Sequence, residues 1–225
     1  MIERPSSALK ELIENSIDAG ASEISINLSE GGKTLIEVID NGRGMSLDDL
    51  NMCLERHATS KISDGDLMQI TSLGFRGEAL PSIGSIANLC IESYDKYKNE
   101  AWKISIINNK KNVEPSIIRF GTKVTITDLF LKIPARLKFM KTNGTEIRYC
   151  KEIVKHLAMS HPKITFTLRI DSKKIYELFR EHFDSPKKAL STLKQLENHG
   201  LLLSSKTALE GSGDVRLFKP YVYPA

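Results

Sequence analysis

Three groups of residues near the start of the chain have the types and spacing for phosphate chemistry. Glu11 and Asn15, within Glu11-Leu12-Ile13-Glu14-Asn15, stand one helical turn apart. On a helix, a carboxylate and an amide at that spacing share a face and can orient a water and a magnesium ion. Asp40 closes an apolar run and opens Asp40-Asn41-Gly42-Arg43-Gly44-Met45. An acid at a strand end can accept a hydrogen bond from an adenine amino group, and Gly42 and Gly44 let the backbone come close to ring and phosphates. The third group is Gly74-Phe75-Arg76-Gly77-Glu78-Ala79-Leu80. Each has a plainer reading alone: an Asp-Asn-Gly after a strand is more often a turn, and a glycine run can simply precede a helix. Their order is what describes a nucleotide pocket: helix, then strand-acid-glycine, then a glycine loop feeding a helix.

The elements that must position these groups follow from periodicity. Pro5-Ser6-Ser7 can cap a helix running to about Asp18 and stopping at Gly20, with Leu9, Leu12, Ile13 and Ile17 as its apolar face. Glu11, Asn15 and Asp18 fall on the other side, a solvated stripe by periodicity alone. Ile24, Ile26 and Leu28 alternate with polar residues, Gly31-Gly32 turns the chain, and Leu35 to Ile39 suits a buried partner strand, so a hairpin delivers Asp40 to its end. Ser46 and Asp49 have capping-box spacing. His57-Ala58-Thr59-Ser60-Lys61 follows, with His57 read as a helix-end residue, and the polar span from about 57 to 77 reads as a lid. A helix over about 77–86 tolerates Pro81 in its first turn. Strands are predicted at 89–94, 101–108, 113–118 and 122–128, with an Asn108-Asn109 turn, then helices at 135–141 and 146–160 and strands at 164–171 and 174–179. The fold class is α+β: a two-layer sandwich of a mixed, mostly antiparallel sheet packed against helices. Residues 1–180 form one domain, and 181–225, with a helical pattern over 186–198, read as a linker or the start of a second subdomain.

The 225 residues, 40% hydrophobic and 27% charged, lie in the range of ordinary globular chains. No stretch approaches the roughly twenty apolar residues of a membrane span, and no apolar signal core opens the chain, so a cytoplasmic location is expected. Cys53, Cys90 and Cys150 are odd in number and far apart, which argues against a disulfide framework or zinc site; they are expected to be reduced and mostly buried. The net charge of +4 is unevenly spread. Residues 1–78 hold seven Lys and Arg against fourteen Asp and Glu, a balance of −7, and residues 132–174 hold eleven against three, a balance of +8. The acidic part can host a magnesium-bound nucleotide and the basic part attracts phosphate backbone, although a lysine-rich run is commonly just a solvated surface.

The chain resembles the N-terminal ATPase region of MutL-type DNA mismatch-repair proteins, of the GHKL (Bergerat-fold) superfamily that includes type II topoisomerase ATPase subunits and sensor histidine kinases. The resemblance covers about residues 2–179. It rests on the Glu-Leu-Ile-Glu-Asn-Ser-Ile-Asp-Ala-Gly-Ala run from Glu11, Asp-Asn-Gly-Arg-Gly-Met from Asp40, and Arg-His-Ala-Thr-Ser-Lys from Arg56. The Gly-Phe-Arg-Gly-Glu-Ala-Leu block, Gly121-Thr122 and Pro134-Ala135-Arg136-Leu137-Lys138-Phe139 complete it. It implies that Glu11 is the general base for the attacking water, Asn15 a magnesium ligand, and Asp40 the acceptor of the adenine amino group, supported by Thr122. Met45 would line the base pocket beside Gly42 and Gly44. Thr59, Ser60, Lys61, Gly74, Phe75, Arg76 and Gly77 would belong to the lid that wraps the phosphates. ATP and Mg2+ are the implied cofactors. The implied partners are DNA, a mismatch-recognition protein of the MutS type, a downstream nuclease or helicase, and a second copy in an ATP-dependent homodimer of the full-length protein. Arg136, Lys138 and Lys141 are candidate contacts to the DNA backbone, and Arg136 and Lys138 could equally meet nucleotide phosphate or belong only to the surface.

A glutamate is a feeble base, so slow turnover is expected, which suits a switch whose nucleotide state biases lid order and dimerisation. The chain departs from the family pattern at both ends. Little precedes the Ile-Glu-Arg-Pro string, where relatives carry an N-terminal arm, and little remains of the ribosomal-protein-like subdomain that supplies a lysine to the terminal phosphate. Weak ATP binding and poor hydrolysis by the chain alone are therefore expected. The rival reading is a nucleotide- or DNA-binding regulatory module without turnover. A histidine-kinase catalytic domain fits poorly, since no phospho-acceptor helix precedes the pocket.

Overall fold

The computed structural model of the chain describes residues 2–55 and 78–178. Helix α1 (Pro5–Asp18) starts on a proline, whose fixed φ and missing N–H suit the first helical position. The N-cap is therefore Arg4, and the expected cap at Ser6 and Ser7 is corrected: both lie inside the helix, Ser6 is buried, and no side chain caps the end. Gly20 follows the helix at φ 74, the left-handed conformation that glycine adopts without a steric cost.

Strands β1 (Glu23–Ser29) and β2 (Leu35–Asp40) form the expected hairpin, with Ile24 opposite Asp40. The connection is a short 3-10 turn, Glu30–Gly32, in which Gly31 and Gly32 have φ 72 and 84. Helix α2 (Leu47–Met52) carries the complete capping box between Ser46 and Asp49. Helix α3 (Ala79–Ile86) holds Pro81 in its first turn. Then come β3 (Asn88–Asp95), β4 (Glu100–Ile107), β5 (Lys110–Pro115), β6 (Thr122–Thr127), α4 (Pro134–Phe139), α5 (Asn143–Ser160), β7 (Thr165–Ile170) and β8 (Lys173–Leu178). β5 begins earlier than its apolar residues indicated. Asn108 and Asn109, at φ 51 and 63, make a two-residue turn that pairs Ile107 with Lys110, so geometry and not hydrophobicity sets the strand start. All of β5 is exposed, as an edge strand guarded by lysines can be.

The eight strands form one sheet in the order β5-β4-β3-β6-β2-β1-β7-β8. Only β1 and β7 pair in parallel, so the sheet is mixed and mostly antiparallel. β6 inserts between β3 and β2, and this places the ends of three strands side by side under α1. The buried side chains of α1 (Leu9, Leu12, Ile13), α3 (Ile83) and α5 (Val154) lie with the inward residues of β1, β2, β3 and β7 in one core. Each fully buried Leu or Ile contributes about 1.5–3 kcal/mol relative to exposure. The other sheet face carries polar cross-strand pairs instead: Asn27 with Glu37 at 2.6 Å, Lys123 with Glu92 at 2.5 Å and Lys103 with Glu114 at 2.7 Å. The result is the two-layer sandwich expected from the sequence.

The three cysteines are free; Cys150 is buried, while Cys53 and Cys90 are only partly so. Burial pushes the Cys53 and Cys150 thiols up to about 12, so both stay protonated at neutral pH. The predicted lid at 57–77 and the segment from 181 onward lie outside the described residues.

Candidate functional site

The site is built where the inward faces of three adjacent strands stop being apolar. Going outward along β2, the inward residues are Ile36, Val38 and Asp40. On β3 they are Leu89, Ile91 and Ser93, and β6 places Thr122 at the same level. Asp40 pairs with Thr122 and Thr122 with Ser93, so a carboxyl and two hydroxyls line up across the sheet, all buried. Buried polar groups require partners, and these supply one another.

Asp40 Oδ1 accepts the N–H of Gly42 at 2.9 Å and of Thr122 at 3.2 Å, and Oδ2 accepts the Ser16 hydroxyl of α1 at 2.8 Å. An ionised carboxylate has about four lone-pair positions, so three are used and Oδ2 keeps one for a further N–H donor. Burial raises the Asp40 carboxyl above its ordinary value, and the hydrogen bonds from Gly42, Ser16 and Thr122 partly offset this. Ser93 Oγ accepts the Met45 N–H at 2.8 Å and stands 2.9 Å from Thr122 Oγ1.

The glycines make this density possible. Gly44 sits at φ 75, and a Cβ there would be driven into the Tyr94 carbonyl. Gly121 sits at φ 58, and a Cβ there would be driven into the Asp40 carbonyl. A Cβ on Gly42 would press on Ala19 at 2.8 Å. Asn41 does structural work: its side-chain oxygen accepts the Ser22 and Glu23 N–H groups at 2.8 and 3.0 Å, tying the loop to the start of β1.

The structure thus brings together Asp40, Gly42, Gly44, Met45 and Thr122. It adds two residues that sequence reasoning missed, Ser16 and Ser93. A signal existed for Ser93: strand alternation puts it in the inward set with Leu89 and Ile91, where a polar side chain is out of place. Ser16 had none, since a serine one turn beyond Leu12 looks like an unremarkable helix residue.

Glu11 and Asn15 are half-buried on α1, and Asn15 is the neighbour of Ser16. Around them the helix is acidic. The Glu14 carboxyl is raised chiefly by burial and further by the charges of Glu11 and Asp18, against the ion pair with Lys10 at 3.6 Å. Among the described residues no group of three or more His, Cys, Asp and Glu could hold a metal ion by itself. Thr59, Ser60, Lys61, Gly74, Phe75, Arg76 and Gly77 lie outside the described residues.

The DNA-contact candidates lie elsewhere, at α4 and the start of α5. Arg136 is half-buried, donates to the Ile2 carbonyl at 2.9 Å and lies 5.7 Å from the Phe130 ring centre, so it ties α4 to the chain start. Lys138 and Lys141 are exposed. The Lys141 carbonyl accepts from Lys33 Nζ at 2.9 Å, which brings a further cation to the same surface.

The profile of the family described as histidine kinase-, DNA gyrase B-, and HSP90-like ATPase matches residues 2–127. The chain is 45% identical over 197 residues to the DNA mismatch repair protein MutL of Paramagnetospirillum magneticum, covering 87% of this chain and 32% of that protein. It is 50% identical over 169 residues to MutL of a Bradyrhizobium species, covering 75% of this chain and 28% of that protein. The chain therefore spans about a third or less of the length of these relatives. A solved structure, the Aquifex aeolicus MutL ATPase domain complexed with ADP, superposes with a TM-score of 0.71 at 28% identity, covering 87% of this chain and 70% of that one. The profile match and the superposition agree: the chain belongs to the histidine kinase-, DNA gyrase B- and HSP90-like ATPase family, with the fold of the MutL ATPase domain.

Proposed function

We propose that the chain binds and hydrolyses ATP as the N-terminal ATPase region of a MutL-like mismatch-repair protein, acting as a nucleotide-driven switch that couples mismatch recognition to downstream repair. The observation that carries this reading is the Asp40 carboxylate, held by three hydrogen bonds with one lone pair left, beside glycines that admit close approach. The ADP in the related MutL structure supports a nucleotide there.

In this reading the adenine amino group donates to Asp40 Oδ2, and Thr122 addresses the neighbouring ring nitrogen. Met45 and the Gly42–Gly44 backbone enclose the base. The residues present fit Mg2+ only together with a nucleotide: Asn15 supplies a carbonyl oxygen on an acidic helix face, and phosphate oxygens must complete the shell. Asn15 would hold the ion, which neutralises charge on the phosphate oxygens. Glu11, one turn earlier, orients the attacking water and accepts its proton. Lid residues 57–77, among them Thr59, Ser60, Lys61, Gly74, Phe75, Arg76 and Gly77, close over the phosphates. DNA then binds through backbone contacts at Lys138, Lys141 and Arg136, with a MutS-type protein, a nuclease or helicase and a second copy as further partners. The cytoplasm is the expected compartment, and among the described residues no helix is long and apolar enough to cross a membrane.

Glu11→Ala tests the enzymatic part. Hydrolysis should fall at least ~100-fold with nucleotide binding retained. Hydrolysis at background level in wild type, and so unchanged in the variant, would return the chain to the rival reading, a binding module without turnover, which the family membership disfavours.

A further inference from the structure

We infer that the cavity between the chain start, α4 and the first turn of α5 is a peptide-docking site, which takes an amide group on Glu146 and Arg4 and an apolar side chain on Phe139.

The cavity, of about 290 Å3, is lined by Glu3, Arg4, Arg136, Phe139, Met140 and Glu146. It is close to the lower end of ligand pockets, roughly 300–1,000 Å3, and several times the roughly 30 Å3 share of one water. Glu146 is its most deeply buried member, 1% exposed. Oε1 accepts the Lys141 N–H at 3.1 Å, while Oε2 is buried with no hydrogen-bond partner. A carboxylate oxygen in that state is costly, and native structures keep few of them. Neither guanidinium of the lining answers it. Arg136 is engaged by the Ile2 carbonyl and the Phe130 ring. Arg4 lies over the Tyr149 ring, 4.6 Å from its centre. Among the described residues Arg4 makes no ion pair or side-chain hydrogen bond, so its N–H groups are open as well.

The lining thus offers an unmet acceptor and unmet donors with no net charge, two carboxylates against two guanidiniums. An anion would meet Glu3 and Glu146, and a cation would meet Arg4 and Arg136. A neutral group that donates at one end and accepts at the other suits both: a carboxamide or a peptide group. Phe139 is 84% exposed with the half-buried Met140 beside it, an apolar rim that no described residue covers. α4 has no buried residue of its own, so an occupant here would also pack this helix against the start of α1. The complement is an extended segment of a partner protein, with a main-chain amide inward and one apolar side chain on Phe139.

NMR titration of the full chain with 3-phenylpropionamide, followed at the Lys141 amide that bonds to Glu146, tests the inference. Methyl 3-phenylpropionate, which lacks the N–H donors, and 3-phenylpropylammonium, which carries a charge, are the matched probes. The amide should saturate with a Kd on the order of 1 mM, as ~11 non-hydrogen atoms allow, and bind at least ~5-fold tighter than the other two. Glu146→Gln keeps an acceptor for Lys141 but turns a donor to the cavity. It should weaken the amide at least ~5-fold and leave the ester unchanged. Its thermal midpoint should equal or exceed that of wild type, because an unpartnered oxygen is gone. Phe139→Ala, at an exposed position, should weaken amide and ester alike. Should Glu146→Gln not fold by circular dichroism, the wild-type preference for amide over ester and the Phe139→Ala result decide. No saturable shift with the amide, or equal affinity for amide and ester, overturns the inference. So does a lowered midpoint of Glu146→Gln with amide binding intact, which would make Glu146 purely structural. Tightest binding of the ammonium also overturns it, in favour of a cation site.

Discussion

In the proposed reading, burial and binding oppose each other at Asp40. A carboxylate in this position costs the fold something, because burial raises its pKa and the ionised form is the disfavoured one. Its contribution to stability is thus fully present below the ordinary aspartate range and is lost as pH rises through the raised value. Asp40→Asn removes the charge while keeping the shape. Ser16 can accommodate it, since its hydroxyl also lies 3.2 Å from the Leu12 carbonyl and can donate there while accepting from the new amide. The expected outcome is a urea midpoint at pH 7 equal to or above wild type, together with a loss of ATP affinity on the order of 10–100-fold. Wild-type ATP affinity should also fall on acidification at a pH above the ordinary aspartate range, and Asp40→Asn should show no such fall. Titrations across pH 4–8 would read this, and identical profiles for the two proteins would contradict it.

At the scale of elements, the loop after β2 and the start of β6 are locked by glycines in ways that differ in kind. Gly20 has a positive φ but open space around its α-carbon, so Gly20→Ala should cost only about 1 kcal/mol. Gly121 combines a positive φ with backbone contact to Asp40, and Gly121→Ala should cost at least ~2 kcal/mol and also displace the Thr122 N–H from Asp40. Thermal unfolding of the two variants checks the ordering. Loss of the α2 capping box in Ser46→Ala should cost about 1 kcal/mol. Much of this level was legible in the sequence. The Asn108-Asn109 turn, the capping-box spacing and the Leu35–Ile39 run each carry a local signal, so the hairpin that delivers Asp40 and the short α2 were readable. The insertion of β6 between β3 and β2 was not, nor was the parallel pairing of β1 with β7, because register between distant strands is decided by packing and leaves no local pattern. The same reason hid Ser16 and Ser93: their roles exist only once α1 and three strand ends converge. Ser6 failed as a cap because the helix already starts at the proline before it, which makes Arg4 the N-cap.

For the whole molecule, the proposed reading gives the nucleotide to the acidic α1 side and the DNA backbone to the basic surface around Lys33, Lys138 and Lys141. Binding to duplex DNA should weaken steeply between about 50 and 200 mM salt and be insensitive to sequence, and Lys138→Ala with Lys141→Ala should reduce the salt slope by about 2. Fluorescence anisotropy at several salt concentrations measures it, and a flat response would remove DNA from the partners. The central claim is that α1, the aspartate ending the hairpin and the lid serve one adenosine triphosphate. It is tested most directly by calorimetric titration of ATP into wild type and Asp40→Asn, each with and without Mg2+. Saturable binding that Mg2+ strengthens and Asp40→Asn weakens at least ~10-fold is the predicted result. No saturable heat from wild type, or equal affinity in the two proteins, would contradict it.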